Sequence, residues 1–547
     1  MTTTVFNARR IITMDLSRPY ATHVAVRDGR VLGVGSADDL LAYGEATLDE
    51  RFADTVLMPG LVEGHSHAAE GSVWAQTYVG YQGRFDPEGG FWPGVESHDA
   101  VVARLQEAES ALSDPTEPLF AWGFDPIYFD DERMSLRHLD AVSTTRPIVV
   151  LHSNGHLLNV NSAVLTRAGI DHGTNVHGVL RDANGEITGE LMEIAAHYMA
   201  WKVTGNPFFG EVDEPTLRRF ARAACNAGVT TATDLFASFD EVTLASYRAI
   251  ASDHDVPLRV VPAMNTLDQP FEQGVQTMRE AMRGGNDRLV FGLCKVMTDG
   301  SIQGYTARMR WPGYHDGAAN GLWNLEPEQL TALVAHYHRA GLQLHIHTNG
   351  DEATELMIDA LEAALADAPR ADHRHTLQHC QMADAAQFQR MGKLGICANL
   401  FANHIHYWGD EHRRLTMGPD RARRMDACRT ALRSGVPLAI HSDAPVTPLA
   451  PLFTAWCAVN RVTASGHVLG PEERIEVADA LHAITLGAAY TLRMDHLIGS
   501  IECGKHADFA VLGEDPTTVD PMALKDVPVL GTIVAGRWFP AAEWRHP

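Results

Sequence analysis

The chain has 547 residues, a length that exceeds one hydrophobic core and predicts two or three domains. Its net charge is −25, from 44 basic and 69 acidic side chains with no long basic run, which argues against nucleic acid and membrane surfaces as partners. Seven scattered cysteines without a Cys-x-x-Cys pair, and the lack of any long apolar segment, predict a cytoplasmic protein with reduced thiols.

Both ends of the chain have sequence patterns typical of short strands separated by turns. Asp28-Gly29 lies between two of these strands and predicts a type I′ hairpin turn. We therefore expect residues 1–57 and 498–547 to form one small β-sandwich domain built from both termini. The strand-like runs are 10–14, 23–27, 30–35, 508–512 and 531–537.

Between the two ends, strand-like runs alternate with helical patterns such as 328–336, as an α/β fold with a (β/α)8 TIM-like barrel requires. The barrel is predicted over residues 58–70 and 216–497. Residues 71–215 are rich in glycine and aromatic residues and predict an inserted lid that covers the barrel mouth. A doubly wound sheet is the alternative, but it would not explain why polar residues recur where strands end. The eight runs are 56–67, 229–234, 258–262, 289–295, 342–347, 375–379, 395–399 and 437–443.

His65 and His67 end the first of these runs. Residues i and i+2 of a strand point to the same side, so the two imidazoles project together and offer half of a four-coordinate metal site. An isolated His-x-His pair could equally be two surface or core histidines. The pair indicates a metal site only if other strand ends supply the remaining ligands.

Other strand ends supply them. Lys295, His347, His379 and Asp443 end the fourth, fifth, sixth and eighth runs. In a barrel these ends meet at one face, so four imidazoles, one lysine and one carboxylate suit a hydrolytic centre with two divalent metal ions, zinc being the first expectation.

Two of these residues have competing interpretations. Lys295 has apolar neighbours, which indicates that it is buried. Reaction with carbon dioxide would make it an anionic carbamate that bridges two metals. The alternative is a snorkelling lysine paired with Asp299. Asp443 could bind a metal and shuttle a proton, or it could cap the next helix.

Two further histidines compete for the ligand positions. His345 shares strand parity with His347, and His375 shares it with His379. The later member of each pair lies nearer the catalytic rim, so we expect His347 and His379 to be the ligands and the other two to be packed or supporting histidines.

The motifs resemble those of the amidohydrolase superfamily, and more narrowly amidohydrolase family 3, the branch that includes N-substituted formamide deformylases. The resemblance spans nearly the whole chain and implies a metal-dependent barrel with a carboxylated lysine. Gln378 departs from the family, since many relatives carry glutamate there. The matching segments are 59–67, 295–301, 347–351, 374–381, 441–446 and 497–508.

Aromatic and imidazole side chains in segments predicted to reach the barrel mouth could enclose an apolar substituent of a substrate. Packing of the insertion against the barrel is the alternative for Trp122 and Trp408. Polarisation of a substrate carbonyl suits His156 and His404. The predicted substrate-side residues are Trp122, His156, Phe236, His404, His406 and Trp408.

These observations predict a hydrolase that cleaves a non-peptide C–N bond of a small amide-like molecule, such as an N-substituted formamide, another amide or a carbamate, by attack of metal-bound hydroxide. The alternatives are an isomerase or decarboxylase on the same scaffold, and a catalytically inactive interaction scaffold. A homodimer is the default expectation for the assembly.

Overall fold

The computed structural model describes residues 3–42, 44–129, 132–210 and 212–542, and three large sheets organise these ranges. A two-stranded ribbon, Arg84–Phe85 with Phe91–Trp92, accompanies them. Within the described ranges, no helix combines the length and the apolar character needed to cross a membrane.

The central sheet has eight strands, each parallel to its neighbours and arranged in the order in which they occur in the chain. It closes between the first and last strands through a parallel bridge of Ser66 with Ala444 and through hydrogen bonds from His67 N to Ala444 O and from Asp443 N to His65 O. The predicted α/β barrel is confirmed. Its strands, numbered one to eight below, are Leu61–Glu63, Val229–Ala237, Arg259–Asn265, Leu293–Met297, Gln343–Thr348, Thr376–His379, Cys397–Leu400 and Leu438–Ile440.

Helices follow the strands and bury their apolar sides against them, which gives the barrel one large core. Local sequence starts several of them: Asp213 and Asp240 accept hydrogen bonds from the third residue of the helices they cap. These helices are Glu214–Asn226, Glu241–Ser252, Phe271–Arg283, Pro327–Arg339, Asp351–Asp367, Ala385–Leu394, Cys428–Arg433, Val477–Ala483 and Leu486–Thr491.

Strand four differs from its predicted bounds. The apolar run was expected to end at Lys295, but Gly292 has φ 135° and breaks it, so that the strand runs over Leu293–Met297. Lys295 is therefore the middle residue of the strand and lies deeper in the barrel than a terminal residue would.

The long connection after strand seven folds as a short helical subdomain, and a further helix precedes the last two helices of the barrel. The segments are His404–Glu411, the π-helical His412–Thr416, Gly418–Ala422 and Pro451–Asn460.

The two termini combine into one seven-stranded sheet with the helix Ala37–Leu41. The long strand Ala46–Pro59 pairs with both Thr3–Ile12 and Phe509–Leu512, so strands from the two termini belong to one continuous sheet. The two separate sheets of a sandwich are not confirmed. The other strands are Tyr20–Arg27, Arg30–Gly35, Val529–Val534 and Arg537–Pro540.

Tight turns shape the ends of this sheet. Asp28 and Gly29 have φ 53° and 72°, which confirms the predicted hairpin turn. Ala535 and Gly536 have φ 50° and 79° and form a second hairpin that divides the single strand predicted over 531–537.

The segment between strands one and two forms the third sheet, of six strands, with its own apolar core around Trp122 and Leu158. Its strands are Thr77–Tyr78, Leu119–Phe124, Ile148–His152, Leu157–Val160, Val179–Arg181 and Ile187–Met192. Its helices are Ala69–Ser72, His98–Ala111, Leu136–Asp140, Ser162–Ala168 and Glu193–Thr204.

Candidate metal centre

The segments that follow strands one and eight bring His65, His67 and Asp443 together. The Nε2 atoms of His65 and His67 lie 3.3 and 3.2 Å from Oδ1 of Asp443. Donor atoms around a tetrahedral zinc ion, with bonds of about 2.1 Å, are separated by about 3.4 Å. Oδ1 of Asp443 also has no hydrogen bond of good geometry within the described chain. The three atoms therefore fit one divalent ion.

Glu63 fixes the relative position of these strands. Its carboxylate accepts hydrogen bonds from the Ser442 backbone N–H at 3.2 Å, the Ser442 hydroxyl at 2.8 Å and the His65 backbone N–H at 3.3 Å. Burial raises the pKa of Glu63 to about 8, although the hydrogen bonds from Ser442 and His65 oppose it. The sequence analysis missed Glu63, whose i, i+2 spacing from His65 was the available signal.

Strands five and six place His347 and His379 edge to edge, with His379 Nε2 3.0 Å from His347 Nδ1. Nε2 of His347 lies 3.2 Å from the Gly300 carbonyl oxygen. Nδ2 of Asn349 lies 3.2 Å from the same nitrogen, so Nε2 is occupied by protein groups and Nδ1 is the ring nitrogen that faces His379. Burial holds the pKa of both imidazoles well below the ordinary value, which favours the neutral, metal-binding form.

Asp299 holds the segment after strand five in place. Its carboxylate accepts hydrogen bonds from the backbone N–H groups of Arg308 at 3.0 Å, Asn349 at 3.1 Å and Gly350 at 2.9 Å. Burial raises the pKa of Asp299 to about 7 against these bonds. The Asp299 carboxylate therefore binds backbone N–H groups, and no ion pair joins it to Lys295 in the described part of the chain.

Lys295 lies between the two groups of ligands and is 1% exposed. Its Nζ is 3.2 Å from Nε2 of His65. Burial lowers the pKa of Lys295 to about 7, and the nearby charge of Asp443 opposes that shift. Much of this amine is consequently uncharged near neutral pH.

His441 approaches the same atoms but is oriented unsuitably for a shared ion. Donor atoms of His65, His379 and His441 all lie within 4.8 Å of one another. The His441 ring, however, stacks on His65 at 4.5 Å with 20° between the planes, and on Phe401 at 5.0 Å. A metal lies near the plane of each imidazole that binds it, so two stacked rings cannot share one ion. His441 is a packed, neutral ring.

The sequence model of the amidohydrolase family matches residues 53–539. The chain belongs to the amidohydrolase family. Its similarity to N-substituted formamide deformylase and to a bacterial amidohydrolase supports family 3 within it. Membership supports a hydrolase, and the His and Asp cluster supports a divalent metal.

Three comparisons describe the relatives of this amidohydrolase. It is 29% identical to Protein LONG AFTER FAR-RED 3 of Arabidopsis thaliana, over 96% of this chain and 90% of that protein. It is 26% identical to N-substituted formamide deformylase of Arthrobacter pascens, over 97% of each chain. A crystal structure of an uncharacterized metal-dependent hydrolase from Pyrococcus horikoshii has a TM-score of 0.71 at 20% identity, covering 95% of this chain and 99% of that one, and shows a shared fold.

One cavity of about 100 Å³ connects the metal centre of the amidohydrolase to the inserted sheet. All six predicted metal ligands line it: His65, His67, Lys295, His347, His379 and Asp443. The rest of its wall is Asn154, Gly155, His156, Glu193, Ile194, His197, Trp201, Phe209, Phe236, Met297 and Val446.

Two of the predicted substrate-side residues, His156 and Phe236, belong to this wall. Nδ1 of His156 lies 3.1 Å from a carboxylate oxygen of Glu193, and its ring is 5.1 Å from that of His347. Burial lowers the pKa of His156, but the charge and hydrogen bond of Glu193, together with the charges of Asp299 and Asp443, give a net upward shift. Glu193 has φ 63°, a strained conformation that places its carboxylate behind the imidazole.

The other four predicted substrate-side residues lie outside the cavity wall and pack the subdomains together. Trp408 is 2% exposed and donates from Nε1 to Asp125 at 2.9 Å, linking the barrel to the insertion. Trp122 packs on Trp74 with ring centroids 5.0 Å apart.

His404 and His406 are likewise held by protein groups. Nδ1 of His404 faces Asp426 at 3.3 Å, and Nδ1 of His406 faces the Val462 carbonyl at 3.1 Å. These contacts direct Nδ1 of His404 to the connection between strands seven and eight, and Nδ1 of His406 to the segment after the helix Pro451–Asn460.

The insertion contributes wall residues that sequence reasoning did not single out. Glu193, Trp201 and Phe209 come from the helix Glu193–Thr204 and the segment after it. No local pattern marks them, because only the folding of the insertion over the barrel brings them to the metal centre.

Proposed function

We propose that this amidohydrolase is a metal-dependent hydrolase of a non-peptide C–N bond in a small molecule, with an N-substituted formamide first and other amides or carbamates next. The observation that carries the proposal is the convergence of six donor side chains, from five barrel strands or the turns directly after them, on one cavity. The name of the Arthrobacter relative supports the formamide class.

The donor set fits two ions. His65, His67 and Asp443 would hold one, His347 and His379 the other, and Lys295 lies where it could serve both. Nitrogen and oxygen ligands at this spacing suit zinc. Bound divalent ions supply Lewis-acid polarisation of the substrate carbonyl and ease the ionisation of water.

Lys295 would serve both ions as a carbamate. Its uncharged amine attacks carbon dioxide, an N–C bond forms, and the nitrogen loses a proton to give an anionic carboxylate. The lowered pKa supplies the free amine, and burial excludes the water that would solvate an ammonium group. A neutral lysine beside His65 is thereby converted into a negative ligand.

Asp443 is the proton carrier in this proposal. Burial tends to raise its pKa, but the neighbouring His67 and the charges of His441 and Lys295 lower it to about 2. Asp443 is therefore ionised at neutral pH. It takes a proton from the attacking water and delivers it to the nitrogen of the leaving amine.

The part of the cavity wall that comes from the insertion and from barrel strand two orients the substrate. His156, held by Glu193, faces the metal centre and would donate a hydrogen bond to the carbonyl oxygen. Trp201, Phe209 and Phe236 form the apolar part of the wall and would enclose the substituent on nitrogen. The small volume of the cavity, about 100 Å³, favours small amides over peptides.

The first test combines metal analysis with a substrate panel. Protein purified without chelator is expected to contain a stoichiometric divalent metal and to hydrolyse members of a panel of formamides, acyl amides and carbamates. Asp443→Asn should abolish turnover, whereas Asp426→Asn, a buried acid outside the cavity, should retain it. Protein that contains no metal as purified, and whose thermal stability is unchanged by chelator treatment, would contradict the metal centre. Full turnover by Asp443→Asn would contradict the role of Asp443.

A further inference from the structure

A continuous chain of hydrogen bonds leads from His65 away from the metal centre. Nδ1 of His65 lies 2.8 Å from Oε1 of Gln378, and Nε2 of Gln378 lies 2.7 Å from Nδ1 of His345. Nε2 of His345 lies 3.2 Å from the Thr491 carbonyl oxygen. All three side chains are at most 1% exposed, so water cannot substitute for any member.

The last acceptor determines the direction of every bond in this chain. A carbonyl oxygen cannot donate, so His345 must carry its proton on Nε2, and its Nδ1 must accept. The atom of Gln378 that faces His345 is then the amide nitrogen, and the amide oxygen faces His65. His65 therefore carries its proton on Nδ1.

A nearby glutamine does not reverse this order. Nε2 of Gln343 is 3.4 Å from Nε2 of His345, but its two protons are directed at the Arg374 carbonyl at 2.5 Å and the Thr491 carbonyl at 2.7 Å. Gln343 therefore has no proton left to donate, and His345 remains the donor toward Thr491.

We propose that Gln378 and His345 form a tautomer relay, which keeps the proton of His65 on Nδ1 and so presents the lone pair of Nε2 to a metal ion. The inference rests on the proposed metal site. Nε2 of His65 faces Asp443 at 3.3 Å and Lys295 at 3.2 Å, which is the side where the other ligands converge.

A backbone carbonyl and a side-chain amide differ in how they can orient a histidine. A carbonyl, such as that of Gly300 beside Nε2 of His347, can only accept a hydrogen bond. An amide side chain has one donor end and one acceptor end, so Gln378 fixes His65 only because His345 and Thr491 prevent it from turning over. Gln378 is thus a positioning residue that acts through a ligand.

The test measures metal affinity separately from stability. Zn²⁺ dissociation constants are determined by chelator competition on metal-free wild type, Gln378→Met, Gln378→Glu and Gln381→Met. Gln378→Met removes both ends of the amide and should weaken zinc binding about 10–100-fold, the usual effect of losing a group that orients a ligand. Gln381→Met is the control: Gln381 is equally buried and faces His412, which is not a proposed ligand.

Gln378→Glu separates the acceptor from the donor. Glutamate still accepts from His65 but cannot donate to His345, so zinc affinity should be retained or increased while the urea midpoint falls. This variant decides the question if Gln378→Met does not fold, since a tenfold loss of zinc affinity in Gln378→Glu would overturn the relay.

The outcomes distinguish the relay from the proposed function. Wild-type zinc affinity in folded Gln378→Met, or an equal loss in Gln381→Met, overturns the relay and leaves the hydrolase proposal intact. Absence of zinc binding in the wild type overturns both.

Discussion

Substituting Asp508 by alanine should break a buried ion pair between the terminal sheet and the barrel, and should lower the free energy of unfolding by about 3–5 kcal/mol. Asp508 precedes the strand Phe509–Leu512, and Arg259 begins barrel strand three. The guanidinium binds the carboxylate in a bidentate manner, at 2.5 Å from Nε and 3.1 Å from Nη2. The two side chains are 3% and 2% exposed.

The magnitude follows from what Asp508→Ala leaves behind. Arg259 keeps its bond to the Asp287 carbonyl at 2.7 Å but loses its only charged partner in the described chain, and the Ala535 N–H loses its acceptor. An unpaired buried charge is far more costly than a lost surface pair, which is worth about 0–1 kcal/mol. The double variant Arg259→Met/Asp508→Leu removes both charges and should recover most of the loss.

Urea unfolding followed by circular dichroism measures the effect. The matched control is Arg423→Met, which breaks a pair with Glu472 at 2.7 Å whose side chains are 53% and 43% exposed. A loss in Asp508→Ala no larger than in the control would refute the reasoning. So would an Arg259→Met/Asp508→Leu variant whose loss equals the sum of the losses of Arg259→Met and Asp508→Leu measured singly.

The same pair gives a pH dependence. Burial alone would raise the pKa of Asp508, but the charge and hydrogen bonds of Arg259 lower it below its ordinary value. The stabilisation is therefore complete above the unfolded pKa of about 3.9 and is lost as pH falls through the lower folded pKa. The double variant should lack this acid-side decline.

Three further predictions concern the site and the inserted segment that packs on it. Lys295→Ala should lose metal and turnover, with partial recovery of both on adding a short-chain carboxylate such as formate; full activity without such an addition would rule out a ligand role for Lys295. Trp408→Phe should cost about 1–3 kcal/mol in urea unfolding, because a buried hydrogen bond to Asp125 is lost, with metal content and turnover unchanged; lower turnover at unchanged stability would return Trp408 to the substrate side. Trp201→Ala should raise KM about 10–100-fold for a formamide with an aromatic N-substituent, since it removes apolar wall area, and should leave N-methylformamide unaffected; equal changes for both substrates would contradict the apolar subsite.

The parts of this protein that sequence predicted are those with a local physical cause. Alternation of strands with amphipathic helices gives the barrel. The two-residue spacing predicted that His65 and His67 project together, and they do converge on Asp443, although strand one ends at Glu63 and the pair lies in the segment after it. Parity along strands five and six narrowed the candidate ligands to His345 or His347 and to His375 or His379. In the structure His347 and His379 line the cavity, whereas His345 and His375 do not.

Tertiary structure decided what depends on partners far apart in the chain. Glu63 meets Ser442 across the barrel seam, and Gln378 joins His65 to His345 across three strands. Trp408 has the same sequence character whether it lines a cavity or packs against Asp125. A side chain's type fixes what it can donate, accept or bury, but only the closed fold determines which partner is within 3 Å of it.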